Sequence, residues 1–286
     1  MKIAITGAGG WLGRELLARL LPLNPNDELL ALGSRERDIE ICGVSQPIVA
    51  WSDGILEDFA PDCVVHAAYL TQEHLKTVDR NGFMDTNQWM CDVVFRAMHS
   101  ESLKAVLFVS SGASIQKQKN LYGMQKAQHE KQFKRIALET DTHLLIARAW
   151  SLSGAFCTKP DQFLFYDLIS QALMNDVIRV QSENAVWRKY VDAGEFLYAC
   201  YLGLLMGEQG SIDSGGSLVE AVDLAREVGK IVAPSKSIVY SHRNNFEDKY
   251  FSLTDSMDNL MLKVGISPST LGQQIATSLQ AVLPNR

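Results

Sequence analysis

The chain has 286 residues, 47% of them hydrophobic and 21% charged, and its 27 basic and 33 acidic side chains give a formal charge of −6. These proportions are globular and exclude a collagen-like or disordered chain. The acidic balance, without a long Lys/Arg run, argues against a nucleic-acid partner. No window approaches the roughly 20 apolar residues of a membrane helix, and Met1–Thr6 carries no signal-peptide pattern, so a cytoplasmic protein with no membrane association is expected. The five cysteines, Cys42, Cys63, Cys91, Cys157 and Cys200, are scattered without a C-x-x-C pair and read as reduced, mostly buried thiols.

In chain order, Ile3–Thr6 is a short apolar run that ends in glycines. Trp11–Leu21 follows with helical spacing (Leu12, Leu16, Leu17, Leu20) and stops at Pro22. Further short apolar runs are Leu29–Leu32, Pro47–Trp51 and Cys63–Ala67. A helical stretch from Phe83 to His99 precedes the run Ala105–Val109, which ends in Ser110-Ser111-Gly112. An amphipathic stretch, Leu121–Glu139, leads to a sixth run, His143–Ala147. Continuous apolar runs separated by helices predict a parallel sheet covered on both faces, a doubly wound α/β fold. Beyond it, Phe163–Met174, Gly194–Met206, Ser217–Ile231 and Ser269–Val282 read as helices, and Val177–Val180 and Ile238–Tyr240 as strands. The predicted division is a dinucleotide-binding domain over 1–155 and a smaller, mainly C-terminal α/β substrate lobe over 156–286, with 190–215 returning to the first domain. The active site is expected at the carboxyl ends of the strands, between the two.

Thr6-Gly7-Ala8-Gly9-Gly10-Trp11-Leu12-Gly13 is G-x-x-G-x-x-G between a predicted strand and a predicted helix. Gly7 suits a tight turn, Gly10 a close approach to a pyrophosphate and Gly13 tight helix–strand packing, while the N–H groups of Trp11 and Leu12 open the helix toward phosphate oxygens. Where an acid would hold a ribose 2′-hydroxyl, the second strand ends in Gly33-Ser34-Arg35. Ser34 and Arg35 there favour NADP over NAD.

Tyr122 and Lys126 form Y-x-x-x-K, four apart on one helical face. A phenol titrates near 10, and a neighbouring ammonium favours its ionised form, which suits Tyr122 to general acid/base work. Lys126 can also hold the nicotinamide ribose, and Ser110 or Ser111 can hydrogen-bond a substrate oxygen. The six histidines (66, 74, 99, 129, 143, 242) show no H-x-x-x-H pair and predict no metal site, and no G-x-S-x-G elbow marks a hydrolase.

Taken together, these motifs resemble the extended short-chain dehydrogenase/reductases, the NAD-dependent epimerase/dehydratase family, over nearly the whole chain. Thr6–Gly13 is similar to its T-G-x-x-G-x-x-G, Asp62–Ala68 to its "D-x-V-x-H-x-A" strand, Val109–Gly112 to its "V-S-S" strand, and Tyr122 with Lys126 to its Y-x-x-x-K. Asn87 matches the Asn of "N-x-x-G-T", with Met90 and Cys91 for Gly and Thr. Arg148–Gly154 is similar to "R-x-x-N-x-x-G", with Ser151 for Asn, and Val186–Val191 to "R-x-Y-V". The resemblance implies Ser111, Tyr122 and Lys126 as the catalytic set. It implies Gly7, Gly10, Trp11, Leu12, Gly13, Ser34, Arg35, Ala67, Ala68, Asn87, Tyr122 and Lys126 around NADP or NAD. Ser111, Ser151 and Arg188 would face a nucleoside-diphosphate sugar, with Arg188 on its diphosphate. A homodimer through the helices of Asn87 and Tyr122 is implied as well.

The chain departs from the family at Ile115-Gln116, which replaces Tyr-Gly after the serine, and in the short segment between Ser111 and Tyr122. Gly112-Ala113 replaces the Asp-Glu pair of the 4,6-dehydratases, so that activity is disfavoured. A 4-keto-sugar reductase or a 4-epimerase is expected; the alternative is a cofactor-binding regulatory protein of the same fold with little catalysis.

Overall fold

The computed structural model describes residues 1–22, 26–116, 120–241, 244 and 246–283, and His242 lies outside them. The elements in chain order begin β1 (Lys2–Thr6), α1 (Trp11–Leu20), β2 (Glu28–Gly33), β3 (Arg37–Ile41), β4 (Val44–Ala50), α2 (Ile55–Phe59) and β5 (Cys63–His66). They continue with α3 (Arg80–Met98), β6 (Ala105–Ser111), α4 (Leu121–Thr140), β7 (His143–Ala149), β8 (Ser151–Ser153), α5 (Leu164–Met174), β9 (Val177–Val180), β10 (Ala185–Asp192) and α6 (Ala193–Leu205). The last are β11 (Gly210–Asp213), β12 (Ser217–Glu220), α7 (Ala221–Val232), β13 (Ser237–Tyr240), β14 (Glu247–Tyr250), α8 (Ser256–Val264) and α9 (Leu271–Val282). The chain forms two compact units: Met1–Ala149 with Leu197–Asp213, and Trp150–Phe196 with the residues from Ser214 onward.

In the first unit an eight-stranded sheet runs β11-β7-β6-β5-β1-β2-β4-β3, parallel throughout except for the β3–β4 hairpin. The all-apolar runs sit at its centre: every residue of β5 and β6 is buried. Val64, Val106, Phe108 and Ile146 pack with Val94 and Phe95 of α3 and Phe133 of α4 in one core, where the rings of Phe108 and Phe133 stack at 4.3 Å. The chain winds one way from β1 to β2 and the other from β1 to β5. The switch point therefore lies at the carboxyl ends of β1 and β5, where a doubly wound sheet leaves room for a ligand.

Two expectations fail locally. The β3–β4 hairpin was not anticipated. Its turn is Cys42-Gly43, both at positive φ (50° and 79°), and Cys-Gly lacks the Asn-Gly or Asp-Gly signal of such turns. Ser217–Ile231 is not one helix: Ser217–Glu220 is β12, antiparallel to β10, and α7 begins at Ala221, where Glu220 caps Val222 N–H at 2.9 Å.

In the second unit β12-β10-β14 form a sheet with β8 alongside β10, and β9 pairs with β13. Helices α5, α7 and α9 pack on one another, with Phe165, Tyr166, Leu168, Ile169, Leu224 and Ile275 buried. No described helix is long and apolar enough to cross a membrane. None of the five cysteines forms a disulfide, and four are buried while Cys42 is exposed.

Candidate functional site

The glycine turn joins β1 to α1. Gly7 has φ +70°, and a Cβ on it would stand 2.7 Å from Ala68 N, so only glycine lets the turn lie against the end of β5. Gly13 is buried against Ala8 and the Gly7 carbonyl. Gly10 donates its N–H to Gly7 O at 2.9 Å and caps α1 without a side-chain acceptor. The first-turn N–H groups of a helix have no i−4 carbonyl within it, and the start of α1 is where an anion would be favoured. The Trp11 indole N–H donates to Glu15 Oε1 along the helix at 3.0 Å. Ala67 and Ala68 follow β5 at the switch point, with Ala68 N–H donating to Thr6 Oγ1 at 3.1 Å.

Ser34 and Arg35 are exposed. Two other arginines, which the sequence did not single out, reach the glycine turn. Arg37 Nη2 and Arg14 Nε both donate to Gly9 O at 3.2 Å. A Cβ on Gly9 would meet Arg37 Nη2 at 2.6 Å. Burial, and then the charge of Arg37, lowers the Arg14 pKa. These paired guanidiniums beside an uncapped helix start suit an anion larger than a hydroxyl.

Ser110 and Ser111 end β6, and their roles separate. Ser110 Oγ donates to Glu130 Oε1 at 2.6 Å. Ser111 Oγ accepts Ala113 N–H at 3.2 Å, which leaves its own proton to give. Helix α4 starts at Leu121, with Asn120 Oδ1 accepting Gly123 N–H at 2.8 Å. Gly123 presses against the turn after Ser111: a Cβ there would lie 2.5 Å from Ala113 O. That contact brings the helix start bearing Tyr122 to the strand end bearing Ser111. Lys126, one turn on, is buried and donates Nζ to Val109 O at 2.7 Å. Its ammonium lies 3.5 Å from the Tyr69 ring centroid, and that ring meets Tyr122 edge-on at 5.8 Å. Burial lowers the Lys126 pKa to about 7.

Asn87 bonds the segment after β5 and helix α4. Its Oδ1 accepts Leu70 N–H at 2.7 Å, and its Nδ2 donates to Leu70 O at 3.3 Å and Gln125 Oε1 at 3.0 Å. It clamps the segment after β5. Glu130, also missed in the sequence, accepts from Ser110, Ser114 and both Arg148 Nε (2.9 Å) and Nη2 (2.6 Å). Those bonds outweigh its burial and hold its pKa below the usual value.

Ser151 and Arg188 belong to the second unit. Ser151 of β8 stands opposite Tyr190 of β10. Arg188 of β10 donates Nη2 to Asp248 Oδ2 at 2.9 Å and stacks over Tyr250 at 5.7 Å. Two residues before it, Val186 lines a cavity of about 370 Å³ with Leu164, Asp167, Arg179, Gln181 and Ser182. Among the described residues no group of His, Cys, Asp and Glu could hold a metal ion.

A comparison with curated proteins gave no match. Solved structures match over almost the full length. UDP-glucose 4-epimerase from Thermotoga maritima, solved with UDP-glucose, is 15% identical and covers 99% of this chain and 100% of its own, with a TM-score of 0.76. UDP-glucuronic acid 4-epimerase from Bacillus cereus, with UDP-glucuronic acid and NAD, is 16% identical over 99% of each chain, TM-score 0.77. RMD from Pseudomonas aeruginosa, complexed with NADPH, is 19% identical over 98% of each, TM-score 0.74. At such identities the likeness establishes the fold. The model of the NAD dependent epimerase/dehydratase family matches residues 3–213, which span the glycine turn, the β6 serines and the Tyr122–Lys126 helix, and the chain belongs to that family.

Proposed function

We propose that the protein is an NAD(P)-dependent enzyme that transfers hydride at a carbinol or keto carbon of a nucleoside-diphosphate sugar, as a 4-keto-sugar reductase or a 4-epimerase. The observation that carries this reading is the meeting of β6 and α4 through the Gly123–Ala113 contact, with Ser111 on one side and Tyr122 and Lys126 on the other. The dinucleotide, when bound, supplies the hydride acceptor or donor. The chain's own residues do the rest. Gly7, Gly10, Gly13 and the first turn of α1 cradle the pyrophosphate. Ala67 and Ala68 line the switch point. Ser111 Oγ–H orients the sugar oxygen, Tyr122 Oη gives or takes its proton, and the Lys126 ammonium favours the tyrosinate and anchors the ribose.

The preference within the cofactor class follows the arginines. Arg14 and Arg37 at Gly9 support NADP, and Arg35, though exposed, stands two residues before Arg37. In the second unit, the cavity beside Val186 is lined by apolar Leu164, Val180 and Ala221 and by polar Asp167, Gln181 and Ser182, a mixture suited to a planar base. Arg188 projects from the same face of β10 as Val186, two residues on, where a diphosphate attached to that base would pass. Ser151 completes the proposed sugar contacts.

The test combines thermal unfolding with turnover. NADPH should raise the midpoint more than NADH at equal concentration. With a UDP-4-keto-6-deoxysugar or a UDP-hexose as substrate, Tyr122→Phe should lose about 10²- to 10⁴-fold in turnover and keep its dinucleotide affinity. If no dinucleotide shifts the midpoint, or if Tyr122→Phe turns over normally, the reading fails.

A further inference from the structure

We propose that Tyr69 is a positioning residue for the acid/base pair: its ring face holds the Lys126 ammonium beside Tyr122, and Asn87 and His129 lock that ring in place. The inference rests on the reading of Tyr122 and Lys126 as that pair.

The surroundings of Lys126 define the problem that Tyr69 solves. Its Nζ is sealed from solvent, and among the described residues no carboxylate forms an ion pair with it. The titratable groups around it are His66 of β5, Cys91 of α3, Tyr69 itself, and Tyr122, His129 and Glu130 of its own helix. Glu130 carries the only full negative charge among them, and its oxygens are taken by Ser110, Ser114 and Arg148. Both histidines are kept neutral by burial and then by the charge of Lys126, with His129 brought down to about 3. Burial pushes the Cys91 thiol up and keeps it protonated. Beyond the attraction of the Glu130 charge, the groups that favour the ammonium are the Val109 carbonyl at 2.7 Å and two ring faces, Tyr69 at 3.5 Å and Phe108 at 4.7 Å. Both rings lie within the distance at which the quadrupole of an aromatic face attracts a cation, and the attraction is larger where water is excluded.

The ring is fixed from two directions. His129 Nε2 donates to Gln88 Oε1 at 3.1 Å, which leaves Nδ1 to accept the Tyr69 hydroxyl proton at 3.0 Å. Gln88 is in turn held by Asp92, to whose Oδ1 it donates at 2.8 Å. The backbone next to the ring is clamped by Asn87 on both Leu70 N–H and Leu70 O, and Asn87 is tied to Gln125, the neighbour of Lys126. A side chain pinned at its hydroxyl and at its backbone presents one face to Nζ and one edge to Tyr122. Asn87, His129 and Gln88 thus serve a common purpose, and the charge on Lys126, and with it the acidity of Tyr122, depends on a ring outside the Y-x-x-x-K motif.

The experiment is a pH titration of the full chain labelled with 13Cε-lysine, followed by carbon–proton NMR, with Lys126→Arg identifying the resonance. In the unsubstituted protein Lys126 should titrate near 7. Tyr69→Phe keeps the ring and should leave that midpoint nearly in place. Tyr69→Leu removes the face and should lower it by about one pH unit. A 3,4,5-trifluorophenylalanine in place of Tyr69 keeps the shape, weakens the ring quadrupole and should lower the midpoint relative to Tyr69→Phe, which decides the matter if Tyr69→Leu does not fold. A midpoint that stays put or rises in the trifluorophenylalanine protein or in folded Tyr69→Leu overturns the proposal. The titration uses neither dinucleotide nor sugar. A protein that ignores every dinucleotide therefore sinks the enzyme reading alone, and one that turns over substrate with an indifferent Lys126 sinks this inference alone.

Discussion

Arg37 and Arg14 meet at one carbonyl oxygen, Gly9 O, and two guanidiniums so placed repel each other until an anion arrives. A 2′-phosphate on the dinucleotide would take both. Arg37→Met or Arg14→Met should weaken NADPH by about 10- to 100-fold, from the loss of one charge-assisted contact, and change NADH little. Arg35→Met should cost NADPH no more than a few-fold. Fluorescence titration of both nucleotides with each variant checks this; equal losses for NADPH and NADH would place the arginines elsewhere than at the 2′ position. The contrast with Arg35 shows what a sequence holds at this scale. Gly7, Ser111, Tyr122 and Lys126 are legible because the chemistry dictates residue type and local spacing at once. Arg37 and Tyr69 carry no such signature. Arg37 reaches Gly9 from the first position of β3, and Tyr69 meets Lys126 from the segment after β5 that Asn87 of α3 holds.

Elements behave in the same way. The buried parallel strands β1, β2, β5, β6 and β7 announce themselves as apolar runs, since both of their faces are covered, and their bounds shift by no more than two residues, whereas β4 starts three residues before its run and β11 carries no such run. The β3–β4 hairpin lies at the sheet edge, where Asp38 and Glu40 alternate with buried Ile39 and Ile41. That period-two pattern was present in the sequence, but it was masked by charge and by a turn without its usual residues. Between elements, Glu130 joins α4 to the end of β6, to the turn at Ser114 and to β7 through Arg148. Glu130→Gln leaves the largely buried Arg148 with only the more distant Asp213 at 4.0 Å and should destabilise the fold by about 2 to 4 kcal/mol, read by urea unfolding. A loss under about 1 kcal/mol would show that the clamp is dispensable. The outward faces of α3 and α4 carry Arg80, Asp85, Arg96, Lys131, Lys134 and Arg135. A homodimer built on them, as the family resemblance suggests, would bury charge. Gel filtration should therefore show a dimer that dissociates on dilution, and a monomer at every concentration would exclude that interface.

At the scale of the whole molecule the buried titratable groups of the first unit set how stability responds to pH. His66 and His129 have folded pKa values far below 6.5, the second at about 3, because burial opposes their charging. Below pH 6.5 the unfolded chain binds protons at these positions that the folded chain does not, so stability falls as pH falls. Glu130 acts in the same direction lower down: its folded pKa lies under the ordinary 4.5, and its contribution, complete above that value, is lost as pH drops through the folded one. Lys126 works at the other end. Its pKa of about 7 against 10.5 unfolded means that between those values the unfolded chain holds the extra proton, so this group makes the fold more stable as pH rises from 7 toward 10.5. All three terms therefore have one sign, and the unfolding midpoint should climb from pH 4 to pH 7 and keep rising above it, until exposed groups reverse the trend. Calorimetry across that range checks the prediction. In Lys126→Met the rise above pH 7 should flatten while the acid limb survives; in His129→Leu the acid limb should shrink while the alkaline rise survives. A wild-type midpoint that peaks near pH 5 would mean that water reaches these groups and that the first unit's core is not the dry layer that keeps the Lys126 ammonium dependent on its neighbours.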